Sequence, residues 1–348
     1  MELFIRTEAN ETTASGHMTR CLSVAEAARK TGAVPVFIVA EEVSAAMPRE
    51  KGFETIVLNR IFDDYDNEIA VMAKLVEKRG IKTLLIDSYW VTEKYVSAMT
   101  KLTNTAYFDD LHEKIWDVDI LINYAVNAKK YSYEKEYKGT KLLLGCDYMP
   151  LRGEYNENLP EKIINDEVKN ILVVSGGADE PHFLYGLTRR LKDHGEFAGI
   201  TFTVITGRFN NDHERIEEIS KENSSDISLP HIRVCRNLPS LKDELLNADI
   251  CISAGGTTLY ELAATGTPGI CCMIADNQRD NVEGFSSKGL LEYAGDVREE
   301  GFFKVLFEKL TYLKEKKDIR EKMSAELKRV VDGKGAARIA SAITDKIL

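Results

Sequence analysis

An excess of cations is the first thing this chain lacks. Its 46 Lys and Arg are outnumbered by 56 Asp and Glu, a formal net charge of −10. No surplus is left to neutralise a phosphate backbone, which excludes a general nucleic-acid binder. An anionic ligand must then be held locally, by helix N-termini and backbone N–H groups. The six cysteines are scattered. No C-x-x-C occurs and no Cys/His spacing reads as a zinc site, so reduced, mostly buried thiols of a cytoplasmic protein are expected. No apolar run approaches the ~20 residues needed to cross a bilayer, and MELFIRTEAN lacks the basic flank and long apolar core of a signal peptide. Two nucleotide fingerprints are also missing: the glycine loops are neither G-x-G-x-x-G nor G-x-x-x-x-G-K-[ST].

What is present is an ordinary soluble composition, 44% apolar and 29% charged over 348 residues, long enough for two domains. Short apolar runs alternate with amphipathic stretches. LFIR, VPVFIVA (34–40), TIVL (55–58), TLLID (83–87), TAYFDD (105–110), DILINY (119–124) and KLLLG (141–145) read as strands. CLSVAEAARKTG (21–32) and EIAVMAKLVEKRG (68–80) read as helices ending at a glycine. The rhythm breaks in the polar stretch 149–170, the candidate linker. It then resumes with strands at 170–177, 200–207, 231–237, 249–256 and 269–275, and stacked helices from about Phe302. Continuous apolar strands with helical crossovers mean parallel sheets covered on both faces. The expected fold is α/β: two doubly wound Rossmann-like domains, residues 1–155 and 165–348, with the last helix able to pack back on the first domain. Ligands of such a pair bind in a cleft at the carboxyl ends of the sheets.

Three loops carry candidate chemistry. In SAGGTTLYELAATGTP (Ser253 to Pro268), Gly255 and Gly256 let the backbone approach a ligand, and Thr257 and Thr258 cap the helix that follows. Free N–H groups, two hydroxyls and a helix dipole make an anion site. Glu261 shares the helix face of Thr257, where a carboxylate suits vicinal hydroxyls such as those of a ribose. A Gly-Gly turn before a capped helix, with Glu261 favoured only by the dipole, accounts for the same residues equally well. VVSGGADE (173–180) repeats the theme with Gly176 and Gly177; Asp179 and Glu180 would repel phosphate if turned inward, and otherwise suit a helix start. MIADNQRDN (273–281) is a polar loop in which Asp276, Asn277 and Gln278 read as solvated turn residues. With no lysine in either glycine loop, a phosphate cradle would consist of backbone and hydroxyl.

His17, in ASGHMTRCLS, lies past the first strand at a helix entrance. A cation is disfavoured at that end, so a neutral, proton-accepting imidazole is expected there. Gly16 leaves room for a ligand to approach. A histidine that merely starts a helix is the alternative. An Asp-x-Asp at Asp117 and Asp119 opens a strand and reads as its exposed start rather than as a manganese site.

Together these stretches resemble a known family. GHMTRCLSVAEAA is similar to the opening Gly-His-x-x-Arg-Cys-Leu helix of the UDP-sugar hydrolases of pseudaminic acid biosynthesis, the PseG family. LIDSYWV resembles that family's Asp-x-Tyr loop, FDDL its Asp-Asp-Leu strand end, and GCDYMPLRGEY its Leu-Arg-x-Glu-aromatic linker. SGGAD, AGGTTLYE and ADNQ resemble its nucleotide-domain motifs, in the family's order. The resemblance spans residues ~5 to 285, and implies the GT-B fold of glycosyltransferase-like proteins, with UDP in the second domain and the sugar presented to the first. It places the catalytic histidine at His17, the Asp-x-Tyr tyrosine at Tyr89, the asparagine of the last motif at Asn277 and the ribose-binding glutamate at Glu261. Arg20, Gly176, Gly177, Gly255, Gly256, Thr257, Thr258 and Gln278 fall in matching motifs.

The implied reaction is hydrolysis of a UDP-linked diacetamido-trideoxyhexose. His17 takes a proton from the attacking water, and attack opposite UDP inverts the anomeric centre. No metal or cofactor is implied, and the partner is a small-molecule UDP-sugar, with no nucleic acid and no stable membrane insertion. Glu8, Asn10 and Ala14 stand where the family has aspartate, serine and glycine, at positions expected to border the sugar. Spore coat polysaccharide proteins are a further resemblance. A GT-B glycosyltransferase with an alcohol acceptor and a non-catalytic nucleotide-sugar binder are the competing readings.

Overall fold

The computed structural model describes residues 2–10, 16–156, 159–177, 179–223 and 226–344. The chain forms two compact units, Met1–Glu157 with Gly333–Leu348, and Asn158–Asp332. The closing segment thus belongs with the first unit rather than the second, and Ala14 lies outside the described residues.

The first unit holds a seven-stranded sheet. Its strands are β1 (Glu2–Thr7), β2 (Val34–Val39), β3 (Glu54–Val57), β4 (Thr83–Asp87), β5 (Asn104–Phe108), β6 (Ile120–Asn123) and β7 (Lys141–Leu144). They are ordered β3-β2-β1-β4-β5-β6-β7, and every pairing is parallel. The central strands are apolar at successive positions because helices cover both faces: Leu3, Phe4 and Ile5, and Leu84, Leu85 and Ile86, are at most 1% exposed. Each such side chain contributes about 1.5–3 kcal/mol of burial. The helix Gly16–Lys30 follows β1 and ends on Arg29 and Lys30, the cations its dipole favours, before Gly32 at φ 89°. The closing helix Gly335–Thr344 packs against it.

The second unit holds a six-stranded parallel sheet. Its strands are β8 (Asn170–Val174), β9 (Thr201–Thr206), β10 (His231–Arg236), β11 (Ile250–Ala254), β12 (Gly269–Met273) and β13 (Glu292–Asp296), ordered β10-β9-β8-β11-β12-β13. β13 has no counterpart among the expected strands. Its sequence, EYAGD, lacks an apolar run, and its pairing with β12 shifts register between Cys271 and Met273. It is an edge strand formed because β12 offers a free ladder, which outweighs weak local propensity.

Candidate active site

In a doubly wound sheet the crossover helices diverge to opposite faces where the strand order reverses, and the gap left there is the habitual ligand site. The reversal falls between β1 and β4 in the first unit and between β8 and β11 in the second. The candidate residues collect at both points.

In the first unit His17 occupies the opening turn of the helix after β1 and is 7% exposed. Its Nδ1 lies 2.6 Å from Oδ1 of Asp87, the fully buried last residue of β4. Donation from Nδ1 to the carboxylate assigns the tautomer whose Nε2 keeps a lone pair. Arg20, one turn along, grips the same carboxylate with two bonds, Nε to Oδ2 at 2.6 Å and Nη2 to Oδ1 at 2.5 Å. Burial pushes the Asp87 carboxyl up, but the charges and hydrogen bonds of Arg20 and His17 outweigh it and hold the group well below the usual carboxylate range. Asp87 therefore stays ionised beside the imidazole.

Arg20 reaches further. Its Nη1 donates to both oxygens of Asp110, at 2.9 and 2.8 Å, and to the Tyr124 hydroxyl at 2.5 Å. The Tyr89 hydroxyl donates to Asp110 Oδ2 at 3.0 Å, and the Tyr89 ring stands edge-on to His17, centroids 4.4 Å apart at 82°. Burial and the Asp110 charge push the Tyr89 phenol well up, so it remains a donor. His17, Asp87, Arg20, Asp110 and Tyr89 thus close a ring of contacts. Gly16 has open space where a Cβ would stand, so neither packing nor backbone angle demands glycine there. Glu8 is turned inward: at 2% exposure it binds Arg6 and accepts the Ala40 N–H at 2.7 Å, rather than bordering a ligand.

The second unit's glycine loops differ from their expected roles in part. The Gly255 N–H is not free, since it donates to Gln278 Oε1 at 3.1 Å, as does the Ile274 N–H. A Cβ on Gly255 would lie 2.4 Å from Val282 Cγ1. Gly255 is a packing glycine, and Gln278 is the staple joining the loops after β11 and β12. Gly256 has open space at its Cβ. Thr257 precedes the helix Thr258–Thr265, but its hydroxyl makes no capping bond, contrary to the capping role expected of it. The amides of Thr257 and Thr258 are orphan donors of that helix start, and Leu259 and Tyr260 turn back to the carbonyls of Gly256 and Thr257. Glu261 is buried in the first turn, 8% exposed, and Asn277 is exposed on the short turn Asp276–Gln278.

In the loop after β8, Gly176 needs its glycine for φ 92°, while Gly177 has open space at its Cβ. Asp179 does not face a ligand: it accepts the N–H groups of Phe183 and Leu184 at 3.0 and 2.8 Å, capping the helix Phe183–Arg190. Gly207, which the sequence did not flag, lets the loop after β9 close on this one, since a Cβ there would lie 2.2 Å from Gly176 O. Asp87 and Asp110 are the other residues missed as participants. Both stand in stretches already singled out, LIDSYWV and FDDL, each next to a strand end on the His17 edge. Asp119, by contrast, accepts the Thr105 N–H at 2.8 Å at the opposite edge of the sheet, and Asp117 accepts the Ser97 hydroxyl at 3.1 Å.

Residues 171–340 match the glycosyltransferase family 28 C-terminal domain. MurG of Acinetobacter baumannii superposes with a TM-score of 0.71 at 12% identity, covering 99% of both chains. The fold is GT-B. A second GT-B-sized neighbour is the UDP-GlcNAc 2-epimerase of Neisseria meningitidis, solved bound to UDP-GlcNAc, with a TM-score of 0.64, 12% identity, and coverage of 99% of this chain and 100% of that one. By sequence the chain is 23% identical over 312 residues to the uncharacterized protein MJ1062 of Methanocaldococcus jannaschii, 87% of this chain and 62% of that protein. It is 20% identical over 207 residues to the spore coat polysaccharide biosynthesis protein SpsG of Bacillus subtilis, 59% of each. The matches therefore span less than two thirds of either relative.

Proposed function

We propose that the protein is a UDP-sugar hydrolase in which His17 activates the water. The observation that carries this reading is the His17–Asp87 pair: a buried, ionised carboxylate 2.6 Å from Nδ1 at the sheet's reversal point. Asp87 fixes the ring, leaves Nε2 to accept a proton, and stabilises the imidazolium that results, the same division of labour as in other His-carboxylate pairs. Cleavage of the anomeric bond develops positive charge on the sugar and negative charge on the leaving diphosphate. The Thr257 and Thr258 amides, the open face of Gly256 and the helix dipole suit the diphosphate, and Glu261 suits the ribose. The nucleotide in the epimerase neighbour supports UDP as the carrier. The resemblance to the PseG family supports a diacetamido-trideoxyhexose as the sugar, with inversion at the anomeric carbon.

The second reading is a glycosyltransferase with an alcohol acceptor. It is favoured by the family 28 domain match and by the polysaccharide role in SpsG's name; fold alone does not choose the chemistry. UDP release from a panel of UDP-sugars, with and without sugar acceptors, separates the two. Release without an acceptor, giving the inverted free sugar by NMR, is expected. Release that requires an acceptor overturns hydrolysis. Within that assay His17→Asn, which cannot accept a proton at useful pH, should lower turnover by ~10²- to 10⁴-fold and leave UDP affinity unchanged. Near-normal turnover in this variant would make His17 structural.

A further inference from the structure

We propose that Asp110 is a positioning residue: it holds Tyr89 against His17 and so fixes the direction in which the imidazole presents Nε2. As to function, this rests on the hydrolase reading; as to geometry, it stands alone. Tyr89 lies in the loop after β4 and is 41% exposed. An exposed ring on a loop samples several rotamers unless tethered. Its tether is the 3.0 Å bond from the hydroxyl to Asp110 Oδ2. Asp110 is itself pinned, because Arg20 donates to both its oxygens at 2.8 and 2.9 Å.

The same guanidinium holds Asp87 on its other edge, at 2.5 and 2.6 Å. One rigid, planar cation therefore spaces two carboxylates. Asp87 restrains His17 through Nδ1, and Asp110 restrains it through the Tyr89 ring, 4.4 Å away at 82°. With one restraint the imidazole can still tilt about its hydrogen bond. With two it cannot. Stacking of Arg20 on Phe108, 4.6 Å from the ring centroid, holds the hub from a third side. Asp110 touches no reacting atom; it acts through Tyr89 and, by the bonds it accepts from Arg20, through the guanidinium that also holds Asp87 and lies 3.1 Å from His17 Nδ1.

Two measurements on the full chain test this. In the first, the His17 ring-proton shifts are read by NMR without any substrate. Tyr89→Ala should move them by removing the ring current. Asp110→Ala should move them the same way, and Asp110→Asn, whose amide oxygen still accepts the Tyr89 hydroxyl while its NH2 forfeits one Arg20 bond, should move them less. Unmoved shifts in Asp110→Ala would overturn the proposal whatever the reaction is. In the second, Tyr89→Phe and Asp110→Ala should each lower kcat for UDP release by ~10- to 100-fold, the scale of a misplaced catalytic group, with KM within about threefold. The double variant should be no worse than the poorer single. Additive losses, or a loss confined to KM, would overturn it. Tyr89→Phe changes only a hydroxyl on a partly exposed ring, so the fold survives it. If the wild type releases no UDP from any sugar nucleotide, the hydrolase reading fails while the NMR result still decides the positioning.

Discussion

Adjacent glycines in one loop can be kept for opposite reasons, and Gly255 and Gly256 show how to tell them apart. A methyl group on Gly255 collides with Val282 at 2.4 Å, whereas one on Gly256 meets nothing within 4 Å. Gly255→Ala should therefore cost about 1–3 kcal/mol of stability through overpacking. Gly256→Ala should leave stability unchanged or slightly raised, since alanine lowers the entropy of the unfolded chain. If Gly256 is the point of close approach to a diphosphate, its alanine variant should bind UDP about tenfold more weakly, on the order of 1.4 kcal/mol. Thermal melts with and without UDP check both. A stable Gly256→Ala protein with unchanged UDP affinity would remove this loop from the nucleotide site. Spacing alone cannot sort the two glycines, because the colliding atom belongs to a residue 27 positions away (282 − 255). The same limit hid His17's partner. Asp87 is 70 residues distant, so a histidine that looks solitary in sequence acquires its carboxylate only when β1 and β4 become neighbours.

At the scale of elements, the alternation of apolar runs and amphipathic stretches made both sheets legible, and the polar stretch 149–170 was readable as a break. Its anchoring was not. Lys162 in that stretch is 7% exposed and donates to the carbonyls of Leu245, Leu246 and Ala248 at 2.8, 2.8 and 2.5 Å, closing the end of the helix Lys242–Asn247. Arg320, 1% exposed, donates to the Leu313 carbonyl in the last turn of the helix Phe302–Glu315 at 2.6 Å and ties that turn to the Asn165 carbonyl, also at 2.6 Å. Two cations in charge-rich sequence thus look like surface residues and are instead buried clamps, because backbone carbonyls at helix ends attract them. Removing the first as Lys162→Met leaves buried carbonyls unpaired and should cost about 2–4 kcal/mol at neutral pH. The cost should also depend on pH. Burial pushes the Lys162 amine down to about 8, with Asp249 opposing, while the unfolded chain keeps its proton to ~10.4. Between those values the unfolded state binds more protons, so the wild type gains stability from this group as pH rises. The difference in melting temperature between wild type and Lys162→Met should widen from about pH 7.5 to pH 9.5. A flat difference would show that the amine keeps its ordinary affinity for protons, and a narrowing one that folding raises it.

Across the whole molecule, charge separates the two enzymatic readings most economically. A transferase whose acceptor is a membrane lipid needs a surface that approaches anionic headgroups, and basic residues supply about 1 kcal/mol each towards it. Here the chain carries −10 overall, and the first unit's rim at the carboxyl ends of its strands adds to the repulsion. Glu41 and Glu42 follow β2, Asp63 and Asp64 follow β3, Glu113 follows β5 and Asp147 follows β7, against the cations Arg60, Lys114, Lys129 and Lys130. Exposed apolar side chains do punctuate that rim, Val43 at 61%, Ile61 at 63% and Ile115 at 60%, and on a neutral or basic surface they would favour insertion. Set among carboxylates they do not, because each carboxylate brought to an anionic surface is repelled over a Debye length. Among the described residues no helix is long and apolar enough to span a bilayer. The protein is expected to remain unbound in flotation with phosphatidylserine-containing vesicles, at low as well as physiological salt. UDP release should likewise be unaffected by adding such vesicles. Vesicle binding that weakens as salt is raised would reveal a basic surface outside this rim, and stimulation of UDP release by lipid would favour the transferase reading over hydrolysis.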